Sequence, residues 1–208
     1  MRIAVINEVS SCEKNADILN ALQGLGHLIF NVGMTDPEQT PQLTYIHTGL
    51  MTGILLNTHA CDMVIGGCGT GQGYINSAMQ YPNIFAGLIV DSLDAWLFSQ
   101  INGGNCISLP LNKGYGWGAD INLKYVFEKL FKDESGRGYP EHRRESQAQS
   151  RDILSKLSND AHKPLPVIIS SLPPQIVADV FATPSFRSVF IKGSQNTSLR
   201  DEIISILP

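Results

Sequence analysis

The stretch 62–73, reading Asp-Met-Val-Ile-Gly-Gly-Cys-Gly-Thr-Gly-Gln-Gly, constrains the fold of this chain more than any other feature. A short apolar strand ends there in glycines 66, 67, 69, 71 and 73. Glycine permits positive φ and close approach, and the peptide N–H groups freed by such a turn can hold an anionic or developing oxyanion oxygen. Cys68 adds a thiol. Near a helix N-terminus its pKa can fall, making it a base or a nucleophile; as a free cysteine it can equally be a buried packing residue. Thr70 either caps the following helix or donates its hydroxyl to a substrate oxygen. The loop lacks the Lys-Ser or Lys-Thr ending of a nucleotide phosphate loop. It follows a third strand instead of a first, and its spacing does not match the dinucleotide fingerprint.

The flanking pattern predicts an α/β fold. Strands are expected at 2–7, 27–32, 61–65, 84–90 and 105–109, alternating with helices at 13–25, 45–58, 72–80, 92–100 and 122–131; that at 45–58 reads as amphipathic. Apolar strands separated by helices specify a three-layer, open, mainly parallel, Rossmann-like sheet, with the ligand at the strands' carboxyl ends. We divide the chain into an α/β domain over 1–132, a charged linker and arm helix over 133–158, and a C-terminal extension over 159–208. In the extension, strands are expected at 167–170 and 188–191 and helices at 174–181 and 199–206, a small α/β appendage docked on the main sheet or on a neighbouring subunit.

With 208 residues, 43% of them hydrophobic, the chain can bury a sizeable core without staples. The balance of 15 Lys and Arg against 19 Asp and Glu includes no basic block, which argues against a nucleic-acid partner. No run approaches a membrane span and the N-terminus lacks a signal-peptide pattern, so the expected location is cytoplasmic, with no membrane partner. The cysteines at 12, 61, 68 and 106 are widely spaced, which predicts free thiols and no zinc site.

The Cys68-Gly69-Thr70-Gly71-Gln72-Gly73 motif resembles that of the ribose 5-phosphate isomerase B and galactose 6-phosphate isomerase family, in which a strand-ending Cys-Gly-Thr-Gly-x-Gly carries the catalytic cysteine. Ile84-Phe85-Ala86, Ala95, Gln100, Asn102 and Asn105 follow in the expected order and spacing, and Tyr45 occupies the place of a family active-site tyrosine. The resemblance covers roughly residues 1–150. It implies an aldose–ketose isomerase working through an enediolate without metal or cofactor, on a small sugar or sugar phosphate. Cys68 would carry the proton, with Thr70 and the amides around Gly69, Gly71 and Gly73 stabilising oxyanion, and Tyr45 and Asn102 positioning hydroxyls. It also implies a homodimer with shared sites, in which Arg137 and Arg143 would reach a phosphate or a sugar-acid carboxylate. The loop 113–118, Lys-Gly-Tyr-Gly-Trp-Gly, is a further candidate wall.

Two departures bear on the substrate. Ile101 stands where the family has its ring-opening histidine, and Asn7-Glu8 replaces an Asp-His pair, putting a carboxylate where a histidine would face phosphate. Asn7 and Glu8 are both candidate substrate-binding residues; Glu8 can bind sugar hydroxyls, act as acid or base, or simply be a surface loop carboxylate. His47 is a candidate replacement acid. A noncatalytic sugar-binding protein and, with less support, a cysteine hydrolase are the alternatives.

Overall fold

In the computed structural model, which describes residues 1–207, five strands form one sheet: β1 (Arg2–Ile6), β2 (Leu28–Asn31), β3 (Met63–Cys68), β4 (Ala86–Leu88) and β5 (Cys106–Pro110). Their spatial order is β2-β1-β3-β5-β4 and every pairing is parallel, so the sheet is wholly parallel. Parallel strands are covered on both faces, which is why β1 reads Ile-Ala-Val-Ile without alternation. Ile3, Val5 and Ile65 join one core with Ile18, Leu22 and Phe127, under α1 (Asn15–Leu22), α4 (Ser92–Leu97) and α5 (Ala119–Leu130). Ala4, Ile6 and Val64 join the other with Leu50, Ile54 and Tyr74, under α2 (Tyr45–Asn57) and α3 (Gln72–Ala78).

The chain leaves β1 for β2 on one side, then crosses back to β3 on the other. The carboxyl ends of β1 and β3 therefore diverge into a crevice, the usual ligand position in an open α/β sheet. β3 runs farther than the sequence suggests, through both glycines to Cys68. A methyl group on Gly66 would lie 2.2 Å from Tyr74 Cζ, and one on Gly67 would lie 2.4 Å from the Leu109 carbonyl oxygen. These two glycines serve close packing within the sheet and leave the turn to begin at Gly69.

The extension corrects the expected strands at 167–170 and 188–191. It is entirely helical: α7 (Leu165–Ser171), α8 (Pro174–Ala182), α9 (Pro184–Gly193) and α10 (Thr197–Ser205), preceded by the arm helix α6 (Arg144–Ala161). Short apolar runs such as Val-Ile-Ile are ambiguous by periodicity. Proline in the first turn of α7, α8 and α9, where its fixed φ suits helix initiation and its missing N–H costs nothing, decides for helix. Leu165, Ile169, Val177, Val180, Phe186 and Phe190 extend the α2-side core. Consequently α2 is buried continuously from His47 to Leu56, which corrects the expected amphipathic helix. No single helix among the described residues is long and apolar enough to cross a membrane, and the apolar pair α7 and α8 is bent by 112°.

Candidate active site

Cys68, the last residue of β3, is 6% exposed and level with Pro110 of β5. Its carbonyl accepts from the N–H groups of Gly71 (3.2 Å) and Leu111 (3.0 Å), turning the chain sharply at the strand end. Gly71 completes that turn at φ +75°, and a methyl there would also stand 2.5 Å from Leu88 Cδ1. Ser108 Oγ donates to its carbonyl at 2.6 Å, fixing the entry to α3. The other three cysteines are also buried and free. Burial pushes the Cys12 thiol up, and those of Cys61 and Cys106 to about 12.

The loop's donors are partly committed. Gly69 N–H donates to Ser10 Oγ (3.2 Å), Gly71 N–H to Cys68 O, and Gln72 N–H to Thr70 Oγ1 (3.3 Å). The N–H groups of Thr70 and Gly73 have no acceptor among the described residues. Thr70 is exposed, and because its oxygen accepts from Gln72 its hydroxyl proton is free to point into the crevice. Capping and substrate contact are thus compatible. Tyr45, first residue of α2 and 44% exposed, lays its ring against Gly73: a methyl on Gly73 would lie 3.0 Å from Tyr45 Cδ1.

The loop after β1 closes the other side. Asn7 is 1% exposed and its amide is spent inside the fold, donating to Ser11 O (3.2 Å) and accepting from Asn15 Nδ2 (2.9 Å); Asn15 in turn exchanges two hydrogen bonds with Asn31. Asn7 therefore shapes the loop from within. Glu8, 4% exposed, accepts from the N–H of Ser10 (3.1 Å) and from its hydroxyl. Asn112, beyond β5, donates to Ser10 O (2.8 Å), while its own N–H and that of Lys113 donate to Gly69 O. Ser10 and Asn112 were missed in the sequence; they clasp the three loops around Cys68. Tyr115 turns away to Asp17, its hydroxyl donating at 2.6 Å, and Trp117 stands free in solvent, so the 113–118 loop contributes its backbone near Gly69 and an outer rim. The cavity of about 250 Å³ behind that rim is lined by Val90, Leu109, Lys113 and Tyr115 and does not reach Cys68.

His47 is not in the crevice. Thr44 N–H donates to its Nδ1 (3.0 Å), so the ring proton belongs on Nε2, which stands 3.6 Å from Asp179 Oδ2 on α8. Burial lowers its pKa, with Asp179 pulling the other way.

Asn102, Arg137 and Arg143 lie elsewhere on the chain. α4 continues into a π turn over Phe98–Asn102, closed by Gly103 N–H on Phe98 O (2.9 Å), which delivers exposed Asn102 before β5. Cys68 is level with the end of β5, so Asn102 lies at the opposite end of the sheet, on the order of 13 Å or more away along the strand direction. It lines an open groove beside edge strand β4, with Leu88, Asp94 and Leu97. The arm docks here. Gly136 and Gly138 N–H donate to Ser99 O (2.7 Å) and Gln100 O (2.8 Å), and Arg151 donates to Ile101 O and Gly136 O. Arg137 projects exposed between the two glycine contacts, and Arg143 is exposed, its Nε donating to Ser146 Oγ at 3.3 Å. Arg151 is the arginine that holds the arm, a role its sequence position does not signal. Among the described residues no three His, Cys, Asp or Glu side chains converge to hold a metal ion.

The sequence profile described as Ribose/Galactose Isomerase matches residues 3–135. No curated protein sequence matches the chain. Among solved structures, a 4-deoxy-L-threo-5-hexosulose-uronate ketol-isomerase complexed with a tartrate is 39% identical with a TM-score of 0.94, covering 100% of this chain and 99% of that one. A ribose-5-phosphate isomerase from Vibrio parahaemolyticus is 38% identical, also with a TM-score of 0.94 and covering 100% and 99%. Ribose-5-phosphate isomerase B of Clostridium thermocellum, 21% identical with a TM-score of 0.63, covers 77% of this chain and 99% of its own, a likeness of fold alone.

Proposed function

The chain belongs to the ribose/galactose isomerase family, and from that premise we propose that it interconverts an aldose and a ketose through an enediolate, with Cys68 as the base. The observation that carries this reading is the position of Cys68: a thiol ending a central strand at the switch point, followed by a turn whose Thr70 and Gly73 N–H groups lack acceptors. The reaction moves a proton between adjacent carbons, which needs one base within reach of both. It also places negative charge on the neighbouring oxygen, which fixed donors stabilise. Thr70 and the free N–H groups supply donors, and the exposed edge of Tyr45 bounds the crevice.

A homodimer completes the site in this reading. Asn102, Arg137 and Arg143 cannot serve the Cys68 of their own chain from the far end of the sheet. Asn102 lines an open groove along edge strand β4, and Arg137 and Arg143 belong to the arm whose Gly136 and Gly138 dock on the neighbouring π turn; a second copy docking on this side would receive them in trans. Asn102 would bond a sugar hydroxyl and the arginines an anionic group.

Turnover tests the assignment. Cys68→Ser is expected to lower kcat for the preferred sugar by at least about 10²-fold while ligand binding persists, in line with loss of a positioned base. A variant that turns over like the wild type removes Cys68 from the chemistry.

A further inference from the structure

The first turn of α2 is closed by an imidazole. Thr44 is the N-cap: its side-chain oxygen accepts from Ile46 N–H at 3.3 Å, and its own N–H donates to Nδ1 of His47, the third residue of the helix, at 3.0 Å. In the usual capping box that third residue is Glu or Gln, and the amide oxygen of Gln accepts whatever the pH. An imidazole nitrogen accepts only while it carries no proton. Tyr45, the residue between this cap and the rest of the helix, is the one whose ring lies against Gly73 and bounds the crevice. The direction in which α2 presents Tyr45 is therefore tied to the proton state of His47.

The extension supplies the other side of the ring. His47 is 5% exposed and its Nε2 has no hydrogen-bond partner among the described residues. Asp179 Oδ2 stands 3.6 Å from it, while Gln175 Nε2 donates to Asp179 Oδ1 at 2.7 Å and holds the carboxylate in place. Protonation puts a donor on both ring nitrogens. Nδ1–H can then turn only to Thr44 Oγ1, 3.0 Å away, which leaves Thr44 N–H without its acceptor, and Nε2–H gains an ion-pair partner in Asp179. The neutral ring belongs to the cap of α2 and the charged ring to α8. No other charge competes: α3, β3 and α7 carry none, Arg187 and Lys192 of α9 are exposed, as are Asp36 and Glu38 of the loop before α2, and the Tyr74 hydroxyl is engaged by Thr52. The family profile ends at residue 135, so Asp179 lies outside it.

We propose, resting on the isomerase reading above, that His47 and Asp179 are positioning residues for the Tyr45 wall of the crevice: neutral His47 closes the α2 cap and holds Tyr45 against Gly73, whereas protonated His47 turns to Asp179 and releases it, so that the C-terminal extension makes substrate binding weaken in acid. Burial favours the neutral ring and Asp179 the charged one, with burial the larger, so the exchange falls below the ordinary imidazole pKa of about 6.5. KM rises as pH falls through it.

Proton NMR of isotope-labelled wild type, with the His47 and Tyr45 ring resonances assigned, reads the exchange directly between pH 7.5 and 5. The two rings are expected to move with one midpoint. In Asp179→Asn, which removes the carboxylate that favours the charged ring, both should move at lower pH; in His47→Gln, whose amide keeps the cap closed throughout, Tyr45 should stay still. A Tyr45 resonance that does not follow His47 in the wild type overturns the proposal, and because no substrate is present that result is independent of whether the protein is an isomerase. In turnover, KM for whichever of ribose 5-phosphate and 4-deoxy-L-threo-5-hexosulose uronate the wild type isomerises should rise about two- to fivefold over the same range, the scale of one lost N-cap, and stay flat in His47→Gln. KM profiles that coincide in the two proteins overturn the proposal.

Discussion

Gly71 and Gly73 show how closely backbone and side chains are fitted around Cys68. Gly71 adopts φ +75° and faces Leu88, so Gly71→Ala combines a left-handed backbone with a steric clash. We expect it to lose at least about 1–2 kcal/mol in urea unfolding. Gly73→Ala meets only the edge of the Tyr45 ring. It should displace that ring and raise KM with kcat nearly unchanged; an unchanged KM would remove Tyr45 from substrate positioning. Much of this loop was legible because its residues are consecutive: the cysteine, the glycines and the threonine announce themselves within six positions. Ser10, Asn112 and Arg151 were not, since each acts through a contact 50 to 102 residues away. Asn7 stands among the expected substrate-binding residues because nothing local reveals Asn15 Nδ2, which takes its acceptor oxygen.

α2 carries the corresponding lesson among the elements. Its sequence, Tyr-Ile-His-Thr-Gly-Leu-Met-Thr-Gly-Ile-Leu-Leu-Asn, contains no Asp, Glu, Lys or Arg. A helix without a polar face must be covered on all sides, so the need for α7–α9 was present in the chain even though the apolar runs of α7 and α9 read as strands. The five main strands and their helices were readable because each alternation of apolar run and break is local. Helix α8 reaches the first turn of α2 through Asp179 and His47, joining the extension to the element that starts with Tyr45. Burial lowers the pKa of His47 and of His27. The unfolded chain then binds protons that the folded chain refuses, so the stability contribution of these groups is full above about pH 6.5 and falls as pH drops through the folded pKa values. Urea midpoints measured between pH 7.5 and 5 should decline, and the decline should be shallower in His47→Gln. A midpoint that rises over that range would contradict the buried neutral state of these imidazoles.

At the scale of the whole molecule, Cys68 stands in the crevice at the carboxyl end of the sheet, while Asn102 and the arm that carries Arg137 and Arg143 stand at the other end. Sequence order lists Cys68 and Asn102 as parts of one site, but only the fold shows that they lie at opposite ends. If two copies share sites, Cys68→Ser and Asn102→Ala are each inactive alone, and an equal mixture after subunit exchange recovers about a quarter of wild-type activity, because half the dimers are mixed and one of their two sites is intact. Absence of recovery, with exchange verified, would place Asn102 outside catalysis in trans. The central claim, that Cys68 carries a carbon-bound proton, is tested most directly by proton NMR in D2O with a panel of sugars, sugar acids and sugar phosphates. For the preferred substrate the account predicts isomer formation together with loss of the proton beside the carbonyl, both abolished in Cys68→Ser while binding survives. Exchange that continues unchanged in Cys68→Ser would contradict it.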